Sequence, residues 1–305
     1  MTPSRWSDLD RPPLNAGALR KAVVTPERLW TSLDVVEATG STNSDLSARA
    51  EQGAPEGAVL IAEEQTAGRG RLDRKWTAPA RSGLFFSVLL RPGEATVAPV
   101  ESLVDGESAV GQRRLAPAPV HRWGWLPLLA GVATATALSR AAGVDTALKW
   151  PNDLLVTVDG EERKAGGILA ERVGAGAVVI GIGLNVSLRA AELPVPTATS
   201  LALAGAQGTD RDPLLRAVLR SIDDWYREWR AAGGDPAVSR LQQTYAAGCA
   251  TLGRQVRAEL PGGRELSGTA VAVDGDGRLV IAGPAGEEAV GAGDVVHLRP
   301  AAGQG

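Results

Sequence analysis

Sulfur is nearly missing from this 305-residue sequence, which holds one cysteine, Cys249, and one methionine. A lone cysteine excludes an intrachain disulfide and any metal site built on paired thiolates. Histidine is almost as scarce. His121 and His297 lie far apart in sequence, which excludes a His-rich metal site and disfavours a Ser-His-Asp triad. No run reaches the roughly 18 apolar residues of a membrane span. The opening MTPSRWSDLDRPPLNAG has no apolar segment of a signal peptide. The expectation is a cytoplasmic protein that meets no membrane. With 32 Lys and Arg against 35 Asp and Glu the net charge is −3, so no overall basic field draws nucleic acid.

What is present is the balance of an ordinary globular chain, 44% hydrophobic and 22% charged, long enough to bury a large core. Residues 1–24 are polar and Pro-bearing and read as a loosely held, flexible arm. LDVVEAT reads as a strand, and GSTNSDLSARAEQGA as a turn into a helix with Ser41, Thr42 or Asn43 as N-cap. GAVLIA and GLFFSVLL read as buried strands. Residues 92–120, rich in Pro, Ala, Gly and Glu, read as an inserted mobile loop. HRWGWLPLLAGVATATALSRAAG is helical and stops at Gly143. ALKWPNDLLVTV, KAGGILAERV and AVVIGIGLNVSL read as an antiparallel meander turning at Gly160 and at Gly174 and Gly176. DPLLRAVLRSIDDWYREWRAAGG is the clearest helix, and a second covers roughly 236–248. From Thr251 short alternating runs split by Gly, Pro and Asp indicate a small β-barrel or sandwich. A domain boundary is therefore expected near 250.

Three stretches carry candidate chemistry. EEQTAGRGRLDRKW strings Arg69, Arg71 and Arg74 with Gly68 and Gly70 between two strands. Glycine lets a backbone approach a ligand, and arginine fixes a phosphate or carboxylate with a planar fork. A solvated hairpin tip with incidental arginines carries about equal weight, and a nucleic-acid contact less. KWPNDLL clusters Lys149, Asn152 and Asp153 where Pro151 interrupts a strand. A cation, a carboxylate and an amide suit a nucleotide and its magnesium, and a simple turn with a surface lysine is the alternative. RKAGGILAE places Lys164 before Gly166 and Gly167. Two glycines inside a strand fit a ligand lying against the backbone, or a β-bulge. GIGLNV on the next strand lacks the third glycine of a dinucleotide fingerprint.

In order and spacing, GSTNSDL, EEQTAGRGRLDRKW, KWPNDLL, KAGGIL and GIGLNV together resemble the biotin protein ligases from about residue 33 to the C-terminus. The resemblance implies an α+β fold: a central mixed or antiparallel sheet with helices, similar to class II synthetases, over 25–250, with the 92–120 insertion, and a C-terminal SH3-like β-barrel over 251–305. It implies an ATP-dependent, AMP-forming ligase that makes biotinyl-5′-AMP and transfers biotin to a lysine of a carrier domain of an acyl-CoA carboxylase. Carried over by motif, Ser41, Thr42, Asn43, Gln65, Gly68, Arg69, Gly70, Arg71 and Lys164 bind biotin. Arg69, Arg71, Trp76, Lys149, Asn152, Asp153, Lys164, Asn185 and Arg299 bind ATP. Lys164, Arg69, Arg71 and Asp153 are catalytic, and Asp153 holds Mg²⁺. Trp76 is either a brace for the closed loop or a core residue. Two departures stand out. Leu72 and Asp73 interrupt a loop that is often more basic, and no operator-binding helix pair is readable before the ligase core, so no DNA partner is expected. A lipoate or octanoate ligase, a non-enzymatic nucleic-acid binder and a biotin-sensing repressor stand as rivals.

Overall fold

The computed structural model describes residues 10–298, apart from 73, 105, 106, 261 and 292. The most uniformly apolar runs take the middle of a mixed seven-stranded sheet. Its strands are β1 (Ser32–Thr39), β2 (Ala58–Gln65), β5 (Gly83–Leu90), β8 (Thr146–Lys149), β9 (Asp153–Val158), β10 (Glu161–Val173) and β11 (Ala177–Asn185), in the order β1-β2-β5-β11-β10-β9-β8. Only β1 and β2 are parallel, and the meander β9–β10–β11 is antiparallel. Two two-residue strands, β3 (Gly68–Arg69) and β4 (Lys75–Trp76), pair across the Gly-Arg loop.

Helices cover both faces. On one lie α1 (Ala16–Val23), α3 (Trp125–Ala142) and α4 (Arg211–Ala231), packed against Val59, Ile61, Leu84, Phe86, Ile180 and Ile182. The period of two sends the alternate residues to the opposite face. There α2 (Thr42–Glu51) covers Leu60, Leu89 and Val179 through Leu46 and Ala50. α2 therefore fills only the Val179 end of β11 on that face. Toward the other end Gly181, Gly183 and Asn185 are left to line a cavity.

After a last short helix, α5 (Leu241–Gly248), five antiparallel strands form the second sheet: β12 (Gln255–Glu259), β13 (Glu265–Val273), β14 (Leu279–Gly283), β15 (Gly286–Val290) and β16 (Asp294–His297). Its apolar residues Val256, Ala258, Ala270, Leu279, Ile281 and Val295 run into the main core. Two buried indoles fasten the sheets together. Trp150 Nε1 donates to Gly277 O at 3.1 Å and Trp125 Nε1 to Gly275 O at 3.0 Å. No helix among the described residues is long and apolar enough to cross a membrane.

Three expectations are corrected. Residues 10–24 are not a loose arm. Asn15 caps α1, Leu19 and Val23 are buried, and the Leu14 N–H donates to buried Glu63 at 2.6 Å. The i, i+4 pair Leu19 and Val23 was present in a segment too polar overall to advertise itself. Residues 1–9 lie outside the described residues. The 92–120 stretch is not a structureless loop. It contains β6 (Thr96–Val104) and β7 (Glu107–Leu115), paired antiparallel in unbroken register. The high Pro, Ala, Gly and Glu content of the stretch hid this pairing from a reading by composition. ALKWPNDLLVTV is two strands, not one: β8 and β9 fold back on each other around a cis Trp150–Pro151 peptide, bringing Lys149 opposite Asp153.

Candidate active site

A cavity of about 510 Å³ opens on the sheet face left bare beyond α2. One end is built into the scaffold and is lined by uncharged polar groups, with the Glu171 carboxylate behind Asn43. Ser41 caps α2 and is buried with Thr42 and Asn43. Gln65 at the end of β2 accepts from the Thr42 N–H at 2.9 Å. Ser87 of β5 lies 2.7 Å from Thr42 Oγ1 and 2.6 Å from Asn43 Oδ1, so its hydroxyl can donate to either. Asn43 Nδ2 donates to Leu169 O and to Glu171 Oε2, at 3.1 and 2.8 Å. Ser87 and Gly181 are opposed in register, and a side chain at 181 would have to displace Asn43. A Cβ on Gly181 would lie 2.1 Å from Asn43 Oδ1.

The other end is cationic and assembled from separate elements. Lys164 of β10 and Asp153 of β9 form a 2.5 Å ion pair, each partly exposed. The Gly-Arg loop lines the cavity with them. Gly70 N donates to Arg74 O at 2.7 Å, Arg69 pairs with Glu171, and Arg74 pairs with Asp294 of β16. Burial lowers the proton affinity of the Arg71 guanidinium. Asp294 and Asp153 pull it back up, and Arg74 repels it. At the end of β16, outside the cavity lining, burial, then Lys149 and Arg254, hold the His297 pKa at about 4. The Trp76 indole lies on the floor formed by β10 and β11. A Cβ on Gly183 would lie 2.8 Å from its ring, and Lys164 Nζ is 5.9 Å from its centroid. Its Nε1–H is buried and meets no acceptor among the described residues.

Ser41, Thr42, Asn43, Gln65, Arg69, Gly70, Arg71 and Trp76, from the first half of the chain, all line this one cavity. So do Lys149, Asn152, Asp153, Lys164 and Asn185. Gly68 does not. It is buried, and a Cβ there would lie 2.4 Å from Trp76 O, so its role is to let β3 and β4 close. Arg299 lies outside the described residues. Asn152 commits its amide N–H to Ile168 O at 3.1 Å, and Asn185 commits its own to Thr199 O at 2.9 Å. Of the two readings of the paired glycines, the bulge is present, as a register shift between Lys164 and Gly166. Gly166 makes room for Leu184, while Gly181 and Gly183 make room for Asn43 and Trp76. No cluster of three His, Cys, Asp or Glu suited to a metal forms among the described residues.

Sequence reasoning passed over several contributors. Ser87 is the one polar residue inside GLFFSVLL, a signal that could have been read. Glu171 sits in a quoted motif, but nothing local tied it to Arg69. Asp294 and the wall residues Pro194, Val195, Thr197 and Ala198 carry no local mark at all.

The model of the biotin/lipoate A/B protein ligase family matches residues 35–185, and that of the biotin protein ligase C-terminal domain matches residues 251–298. A biotin–[acetyl-CoA-carboxylase] ligase of Mycobacterium tuberculosis is 41% identical over 95% of this chain and 97% of that protein. A bifunctional ligase/repressor of Bacillus subtilis is 31% identical over 81% of this chain and 67% of that protein. Among solved structures, the biotin protein ligase of Aquifex aeolicus in complex with biotin and ATP matches with a TM-score of 0.66 and 26% identity, over 89% of this chain and all of that one. The chain belongs to the biotin/lipoate A/B protein ligase family, among its biotin protein ligases.

Proposed function

We propose that this protein joins biotin to ATP to form biotinyl-5′-AMP and then passes the biotinyl group to a lysine of an acyl-CoA carboxylase carrier domain. The observation that carries this reading is the polarity of the cavity. An end lined by uncharged, fixed hydrogen-bonding groups suits an uncharged ring, and a cationic end suits phosphates. In the first step a biotin carboxylate oxygen attacks the α-phosphorus and pyrophosphate leaves. Both reactants are anions, so the barrier falls only if fixed cations meet them. Arg69, Arg71 and Lys164 take that role, and Lys149 adds charge beside the phosphates. In the second step the carrier's ε-amine attacks the acyl carbon, AMP leaves, and the nitrogen gives up a proton. Asp153, on the cavity wall beside Lys164, is the carboxylate we assign to receive it.

Magnesium would supply charge neutralisation and a template for the phosphates. A single carboxylate fits a cation that takes most of its ligands from phosphate and water, so Asp153, with Asn152 beside it, is the site we assign. Location in the cytoplasm is in keeping with the one buried, unpaired Cys249. Purified protein with ATP, Mg²⁺ and either biotin or lipoate, followed by mass spectrometry, should show the biotinyl adenylate. An adenylate from lipoate and none from biotin would overturn the proposal.

A further inference from the structure

The segment after β11 forms one wall of the cavity. It makes a short turn at Ala190–Glu192 and then presents Pro194, Val195, Thr197 and Ala198. Two backbone hydrogen bonds tie it to Lys164: Lys164 N to Thr197 O at 3.0 Å, and Thr199 N to Lys164 O at 2.8 Å. On its far side it meets the chain before α1. Arg11 Nη2 donates to Ser187 O at 2.9 Å and to Glu192 Oε2 at 2.5 Å. The Arg11 side chain is only 12% exposed, so solvent screens this contact far less than an open surface pair. Asp10 and Arg189 also pair, but both are about two-thirds exposed and add little. Arg11 and the Arg189 N–H together hold the Glu192 carboxyl below its ordinary range.

The other end of this short stretch has a rigid anchor. Arg211 and Glu63 form a 2.6 Å pair, each only 6% exposed. Arg211 also donates to Pro12 O at 2.7 Å, and Glu63 accepts from the Leu14 N–H at 2.6 Å. The segment therefore spans from a buried charge pair in the core to the outer edge of the cavity wall.

We propose that residues 10–15 are a strap that sets the wall over the nucleotide side of the cavity, with Arg11 as its positioning residue acting through Glu192. The proposal rests on the ligase reading for the identity of the nucleotide, but not for the mechanical coupling. The test uses the full chain with Arg11→Ala, Glu192→Ala and the double variant. Without ligand, hydrogen exchange at the Thr199 amide should quicken about tenfold in Arg11→Ala, the scale of one lost charge-assisted hydrogen bond, while amides of α4 keep their rates. In turnover the KM for ATP should rise about tenfold, with the KM for biotin within twofold and kcat falling no more than about threefold. Glu192→Ala should give a smaller change of the same kind, since Arg11 keeps Ser187 O, and the double variant should be no worse than Arg11→Ala, since the two share the Arg11–Glu192 contact. Arg11→Lys should recover part of the effect. Unchanged exchange at Thr199 in a folded Arg11→Ala protein would overturn the strap. So would equal rises in both KM values with a lowered melting temperature, which would mean general loosening. If the parent protein forms no adenylate, the ligase reading fails while the exchange result still decides the strap.

Discussion

At one end of the cavity Thr42, Asn43, Gln65 and Ser87 hydrogen-bond to one another from the tip of α2, the end of β2 and the middle of β5, beside Ser41, which caps α2. At the other end Arg71, Lys149 and Lys164 come from a loop and strand ends, with Lys164 paired to Asp153 and Arg71 facing Asp294 and Asp153, while Arg69 pairs with Glu171 between the two ends. The first end is preorganised before any ligand arrives, because its polar groups are buried and a buried unpaired group is costly. The second end stores charge on half-exposed elements, where a carboxylate can be exchanged for a phosphate at small net cost. The first end should therefore respond to shape, and the second to charge.

The largest effect belongs to the cation at the boundary of the two ends. Lys164→Ala should lower the rate of adenylate formation by about 100-fold or more while the melting temperature stays near that of the parent, because Lys164 is one-third exposed. A folded variant with near-normal rate would remove Lys164 from the site. Next comes shape. Gly181→Ala removes no polar group, yet its Cβ would push Asn43 off Ser87 and Glu171. Biotin affinity should fall about 30-fold and stability by about 1–3 kcal/mol, measured by titration calorimetry and chemical denaturation. Binding unchanged by this methyl group would mean that the end is not preorganised.

Arg71→Gly tests the opposite property. Losing one charge-assisted contact should speed release of the adenylate about tenfold with no change in the melt, and the leaked anhydride should label lysines of a bystander protein on a streptavidin blot. Retention equal to the parent's would make Arg71 a solvated loop residue. The smallest effect is on pH dependence. The folded His297 pKa of about 4 lies below the ordinary 6.5, so between those values the unfolded chain takes up a proton that the folded one refuses. Stability should be fully present above about pH 6.5 and fall toward pH 4, by an amount that the partial exposure of the imidazole keeps small. Urea unfolding of His297→Gln at pH 4.5, 5.5 and 6.5 should show a shallower slope. Equal slopes would mean that His297 is not held neutral by its surroundings.

The same contrast explains how much could be read from the chain. Residues 58–62 and 83–90, the helix around 125–142, the meander turning at Gly160 and Gly174 and the amphipathic α4 follow from local pattern, because period and turn residues act within a few positions. The motifs that line the cavity were legible for the same reason, since each is a short run. What escaped was set by partners distant in sequence. The chain around 10–24 was judged by its polarity, while its order comes from Glu63 and Arg211. Gly166 and Gly167 left a ligand against the backbone or a β-bulge open, and the structure shows a register shift between Lys164 and Gly166, with Leu184 of the next strand filling the space at Gly166.

By itself the sequence determined the strands and helices, the excluded chemistries and the identities of the cavity's cations and amides, since these depend on residue type and short-range order. Only the tertiary structure decided that Glu171 and Asp294 brace Arg69 and Arg74 of the cationic loop, that residues 194–198 wall the cavity, and that Arg11 reaches Glu192. An ion pair or a hydrogen bond depends on separation in space, and residues 181 or 220 positions apart carry no local pattern to announce that they meet.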